Sequence, residues 1–117
     1  MASKKPFNYV SLGDSIAAGH TIDTSWDSNY GERSQFSCNG RTAPTALVPG
    51  CYTYLISEEL KNIYGAGNVN TISFARSGAT VESLMRTIDD ATYGPIMKNA
   101  LAQAHLVTVS VGANDIL

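Results

Sequence analysis

Three glycine-bearing turns, each following a strand-like run, hold the side chains best suited to chemistry. Gly13-Asp14-Ser15 follows Phe7–Leu12, Ser77-Gly78-Ala79 follows the run 69–74, and Gly112-Ala113-Asn114-Asp115 follows Leu106–Val111. A serine on a tight turn at a strand end has its hydroxyl freed from the sheet and its direction fixed by the strand, which suits a nucleophile. Attack on an ester carbonyl creates an oxyanion, and one preorganised donor for that charge is worth about 3–4 kcal/mol of barrier. The Ser15 N–H, the Gly78 N–H and the Asn114 side-chain amide are donors of the right kind. Each turn alone is more often backbone punctuation or a helix cap than a site. Their weight comes from falling at three successive strand ends.

The elements that would position these turns alternate between strand and helix. Residues 7–12 read as a buried strand, and 13–20 as a turn entering a short helical start. From Cys51 the pattern is helical, with Tyr54, Leu55, Glu58, Glu59, Leu60 and Ile63 spaced at three and four, until Gly65 and Gly67 end it. A second strand spans 69–74. Thr80 is placed to cap a helix reaching about Asp90, with Val81, Leu84, Met85 and Ile88 as its apolar stripe. Pro95 suits the first turn of another helix, with Ile96, Ala100, Leu101 and Ala104 inward. Leu106–Val111 is a third strand. Strands alternating with helices predict a parallel sheet with helices on its faces, whose function collects at the carboxyl ends of the strands.

Residues 21–50 break the pattern, being rich in Ser, Thr, Asn, Gly and Pro. So long a connector is unusual as plain linkage and is a candidate lid or specificity loop. Trp26, Tyr30 and Phe36 are its apolar anchors or pocket-lining residues. Cys38 and Cys51 could close a small loop as a disulfide, which would point to an oxidising, secreted setting; two unpaired thiols is the alternative. Met1–Lys5 runs into Pro6 and a strand, so no apolar leader is read there.

The 117 residues predict one domain with a real core, given 44% hydrophobic residues. With a net charge of −2 and scattered basic residues, the chain lacks a nucleic-acid footprint. No apolar run approaches the ~20 residues of a membrane span. Neither a phosphate loop nor a dinucleotide fingerprint is present, and no cofactor or metal site is expected. Ala17, two residues after Ser15, departs from the Gly-x-Ser-x-Gly nucleophile elbow.

Tyr9–Gly19, Phe74–Thr80 and Val111–Asp115 together resemble, in order and spacing, the first three blocks of the GDSL, or SGNH, hydrolases. The resemblance implies a three-layer α/β/α, flavodoxin-like fold. It also implies carboxylester hydrolysis with Ser15 as nucleophile and Gly78 and Asn114 completing the oxyanion hole. Ile16 stands where the signature usually has leucine, and Arg76-Ser77 precedes Gly78; neither change removes a catalytic atom. Asp14 is expected to stabilise the turn by accepting a hydrogen bond. The expected partners are small-molecule, carbohydrate or lipid esters.

In that family a fourth block, Asp-x-x-His, supplies the base, and this sequence holds no such spacing. His105 opens the third strand, at roughly 20 Å from Ser15 for about 3.3 Å per residue. His20, five residues after Ser15, rotates about 140° away if the segment is helical. Asp89-Asp90 reads as a solvated helix end. The expectation is the N-terminal portion of one SGNH domain, residues 1–117, truncated after the third strand and inactive or nearly so alone. Two other readings share the fold: a non-catalytic ligand- or carbohydrate-binding module, and an acyltransferase using the same acyl-enzyme.

Overall fold

The computed structural model describes residues 5–19 and 47–116. Its centre is β1 (Phe7–Gly13), whose residues run from half-buried at Phe7 to fully buried from Tyr9 onward. β2 (Val69–Ser73) and β3 (Leu106–Ser110) flank it in the order β2-β1-β3, both parallel to it. Tyr9 pairs with Thr71 and Leu106, and Val10 with Ile72 and Val107. Side chains alternate across the sheet, so this register sorts the core into two layers. Val10, Leu12 and Phe74 face Met97, with Leu84, Ile88, Ala100 and Leu101 packed around them. Tyr9 and Val69 face Leu60, with Phe7, Ile56 and Leu106 alongside. The fold is therefore α/β with three layers, as expected.

The first helical layer is α1 (Ser15–Ala18) and α2 (Tyr52–Tyr64); the second is α3 (Val81–Asp89) and α4 (Tyr93–Ala102). Gly65 ends α2, its N–H donating to the Lys61 carbonyl at 2.9 Å. Thr80 caps α3 through a reciprocal pair with Ser83, the Ser83 N–H donating to Thr80 Oγ1 and the Thr80 N–H to Ser83 Oγ. Asp90 accepts from the Thr92 and Tyr93 N–H groups and so starts α4. A last short helix, α5 (Ala113–Ile116), follows β3.

Three details of the helical faces differ from the periodicity reading. α2 turns Thr53, Ser57 and Leu60 inward and leaves Leu55 and Ile63 exposed. The buried hydroxyls are paired with the sheet, Thr53 with Ser11 at 2.8 Å and Ser57 with Thr71 at 2.7 Å. In α3 only Leu84 and Ile88 reach the core, while Val81 and Met85 are exposed. In α4 the central core residue is Met97, and Ile96 points outward. Trp26, Tyr30, Phe36, Cys38 and His20 lie outside the described residues. Cys51 is a buried, free thiol whose Sγ is 3.9 Å from the Ala17 carbonyl oxygen.

Candidate active site

The chain leaves β1 on one side toward β2 and returns to its other side as β3, so β1 and β3 diverge at a switch point. In open α/β sheets the crevice outside the strand carboxyl ends at such a point is where ligands bind. Here the two strand ends approach closely. The Asp14 N–H donates to the Ser110 carbonyl at 2.9 Å. Gly13 has φ +148°, and a Cβ built on it would lie 2.3 Å from the Ser110 oxygen, so only glycine fits.

Ser15 is the first residue of α1 and is half-buried. Asp14 is its N-cap: a carboxylate oxygen accepts from the Ile16 N–H at 3.1 Å and its carbonyl accepts from the Ala18 N–H at 3.0 Å. Asp14 thus holds the turn, as expected. Below it, Ala17 and Ala18 pack on Ala75, with Tyr52 alongside.

The second turn arrives because pairing with β1 continues past the end of β2. The Phe74 N–H donates to the Ser11 carbonyl and the Arg76 N–H to the Gly13 carbonyl, at 2.9 and 3.0 Å. This carries Ser77-Gly78 alongside the end of β1. The Ala79 N–H closes the turn on the Arg76 carbonyl at 3.2 Å, and Gly78 takes φ +81° with its backbone exposed. A side chain at that φ would be strained, which accounts for glycine there.

The third turn is tied to the second by adjacent side chains. Asn114 Nδ2 donates to the Ala79 carbonyl at 2.9 Å. The Asp115 carboxylate accepts from the Val81 N–H, its two oxygens at 3.2 and 3.1 Å, at the start of α3. Sequence reasoning assigned Asp115 no role; its partner lies 34 residues away, beyond any local pattern. The structure thus brings Ser15, Gly78 and Asn114 to one edge of the sheet. A cavity of about 200 Å³ lies beside Gly13 and Gly78, with Phe74, Leu84 and Met97 among its lining. A larger one, about 610 Å³, follows β2 and is lined by residues including Asn8, Asn70 and Gln103, away from Ser15.

His105 is not part of this edge. It precedes β3 at the opposite end of the sheet, where Nδ1 accepts from the Asn8 N–H at 2.9 Å and the ring stacks on Phe7. Among the described residues, no cluster of His, Cys, Asp and Glu could hold a metal ion. Among them too, no helix is long and apolar enough to cross a membrane. Burial pushes the Tyr9 phenol above its usual value, against the lowering effect of its hydrogen bond to Thr108.

A parallel three-stranded sheet between helical layers, with a serine, a glycine turn and an asparagine on one edge, defines the class as α/β. The profile of the GDSL-like Lipase/Acylhydrolase family matches residues 9–117, and the chain belongs to that family. Comparisons with curated proteins and with solved structures give no match.

Proposed function

We propose that this chain carries the nucleophile and the oxyanion-stabilising groups of a carboxylester hydrolase. Ser15 Oγ attacks the ester carbonyl carbon, the alcohol leaves, and the acyl group stays on Ser15 until water releases the acid. The Gly78 N–H and the Asn114 amide hold the oxyanion, with the Ser15 N–H as a third donor. The observation that carries this reading is the Asn114 bond to Ala79, which fixes the asparagine beside Gly78. An amide nitrogen has two hydrogens, so one serves this clamp and the second serves substrate.

A serine of this kind needs a proton acceptor near neutral pH. His105 sits at the wrong end of the sheet for that role. On this reading none of the 117 residues supplies that base, since the sequence holds no Asp-x-x-His spacing, and the chain alone turns esters over slowly. The test is p-nitrophenyl acetate hydrolysis at neutral pH by the chain and by its Ser15→Ala variant, with and without added imidazole. A small Ser15-dependent rate, increased by imidazole beyond the increase seen in Ser15→Ala, is expected. Fast Ser15-dependent turnover without imidazole would contradict the missing base. Identical behaviour of the two chains under both conditions would contradict the nucleophile.

A further inference from the structure

We infer that Thr53 is a positioning residue for Ser15, a reading that rests on the nucleophilic role just proposed. Thr53 is the second residue of α2 and is fully buried. Its Oγ1 is 2.8 Å from Ser11 Oγ and 3.0 Å from the Ala17 carbonyl oxygen. A carbonyl only accepts, so the single Thr53 hydroxyl proton goes to Ala17. Thr53 then accepts from Ser11, and the direction of both bonds is set.

The consequence is a closed circuit. The chain runs from Ser11 up β1, through Gly13 and Asp14 to Ser15, and on to Ala17; Thr53 joins Ala17 back to Ser11. The nucleophile lies within this loop, so the curvature of the strand-to-helix turn is fixed from both ends. External ties matter here because α1 has four residues, far too few to hold a helix alone. Its own hydrogen bonds use the Asp14, Ser15 and Ile16 carbonyls. The Ala17 carbonyl is beyond their reach and is satisfied by Thr53, with the Cys51 thiol adding a long contact. Asp14 caps one end of α1 and Thr53 secures the other.

Ser57 provides an internal comparison. It lies one turn along the same face of α2 and makes a buried hydroxyl pair of the same kind with Thr71, on β2 and not on α1. Removing the Ser57 hydroxyl breaks one buried contact and removing that of Thr53 breaks two, to Ser11 and to Ala17, and only Thr53 touches the turn carrying Ser15.

The experiment compares Thr53→Val, Thr53→Ser, Ser11→Ala and Ser57→Ala by amide hydrogen exchange and by the rate at which a fluorophosphonate labels Ser15. Thr53→Val is expected to speed exchange at the Ala18 and Gly19 amides about tenfold relative to the Val10 amide, the loss expected for one net hydrogen bond. Ser15 labelling should fall by about the same factor, because the hydroxyl is then held in its productive direction a smaller share of the time. Thr53→Ser should restore both, Ser11→Ala should give an intermediate effect, and Ser57→Ala should leave both near wild type. Should Thr53→Val fail to fold, the serine and Ser11 variants decide the matter. Unchanged α1 exchange in Thr53→Val, or a change matched by Ser57→Ala, would overturn the inference. Absence of any label on wild-type Ser15 would refute the nucleophile alone, since the exchange rates still decide the role of Thr53.

Discussion

Gly13→Ala is the sharpest structural perturbation available at this site. The new methyl would meet Ser110 at three backbone atoms, 2.3 Å from its oxygen, 3.0 Å from its carbon and 3.1 Å from its nitrogen. All three are main-chain atoms of the neighbouring strand, so no side chain can swing aside. Forcing a methyl into packed surroundings costs about 1–3 kcal/mol. Holding a non-glycine residue at φ +148° adds about 1–3 kcal/mol. The sum, about 2–6 kcal/mol, is a large share of the 5–15 kcal/mol typical of a domain. It also falls on the Asp14–Ser110 bond that sets the position of Ser15. Gly67→Ala is the matched control, because a Cβ there has nothing within 4 Å. Urea denaturation of the two variants against wild type measures the difference. Gly13→Ala should lose several kcal/mol or fail to fold, and Gly67→Ala should stay within about 0.5 kcal/mol. Equal midpoints for Gly13→Ala and wild type would refute the close approach of β1 and β3.

Two further outcomes follow from the same geometry. Asn114→Ala should lower Ser15 acylation by activated esters about 10²–10³-fold through loss of an oxyanion donor, while losing the Ala79 clamp costs only about 1 kcal/mol in denaturation. Parallel small losses in both measurements would leave Asn114 a clamp and nothing more. The raised pKa of Tyr9 predicts an alkaline loss of stability: above pH 10 the unfolded chain sheds this proton and the folded chain keeps it, so stability falls as pH rises toward the folded value. Tyr9→Phe should remove that part of the slope above pH 10 in denaturation series; an unchanged slope would mean that the phenol ionises freely in the folded state.

The α/β order and the edge carrying the candidate residues were legible because the strands are apolar runs bounded by glycine turns, and parallel connection brings successive carboxyl ends together. The faces of the helices were less so. Leu55, Ile63, Val81, Met85 and Ile96 fit an apolar period yet are exposed, while Met97 closes the core. Thr53 and Ser57 look like solvent-facing residues in a sequence, since a buried hydroxyl is betrayed only by its partner, here Ser11 or Thr71. The same reasoning explains Asp115, whose partner at Val81 is set by tertiary structure alone. Val107 and Val109, on the Val10–Leu12 face of the sheet, remain 40% and 56% exposed because α3 and α4 lie over β1 and β2.

The central claim is that Ser15 is the nucleophile, and the most direct measurement locates the acyl group. On the proposed reading no base assists either step, and the alkyl ester formed on Ser15 is less reactive than a p-nitrophenyl ester, so acetyl should accumulate on the protein exposed to p-nitrophenyl acetate. Peptide mapping by mass spectrometry should then find one acetyl group, on Ser15, absent from Ser15→Ala and lost when the chain is denatured before exposure. Acetyl on lysines alone, or a Ser15 modification that survives prior denaturation, would contradict a folded nucleophile at this site.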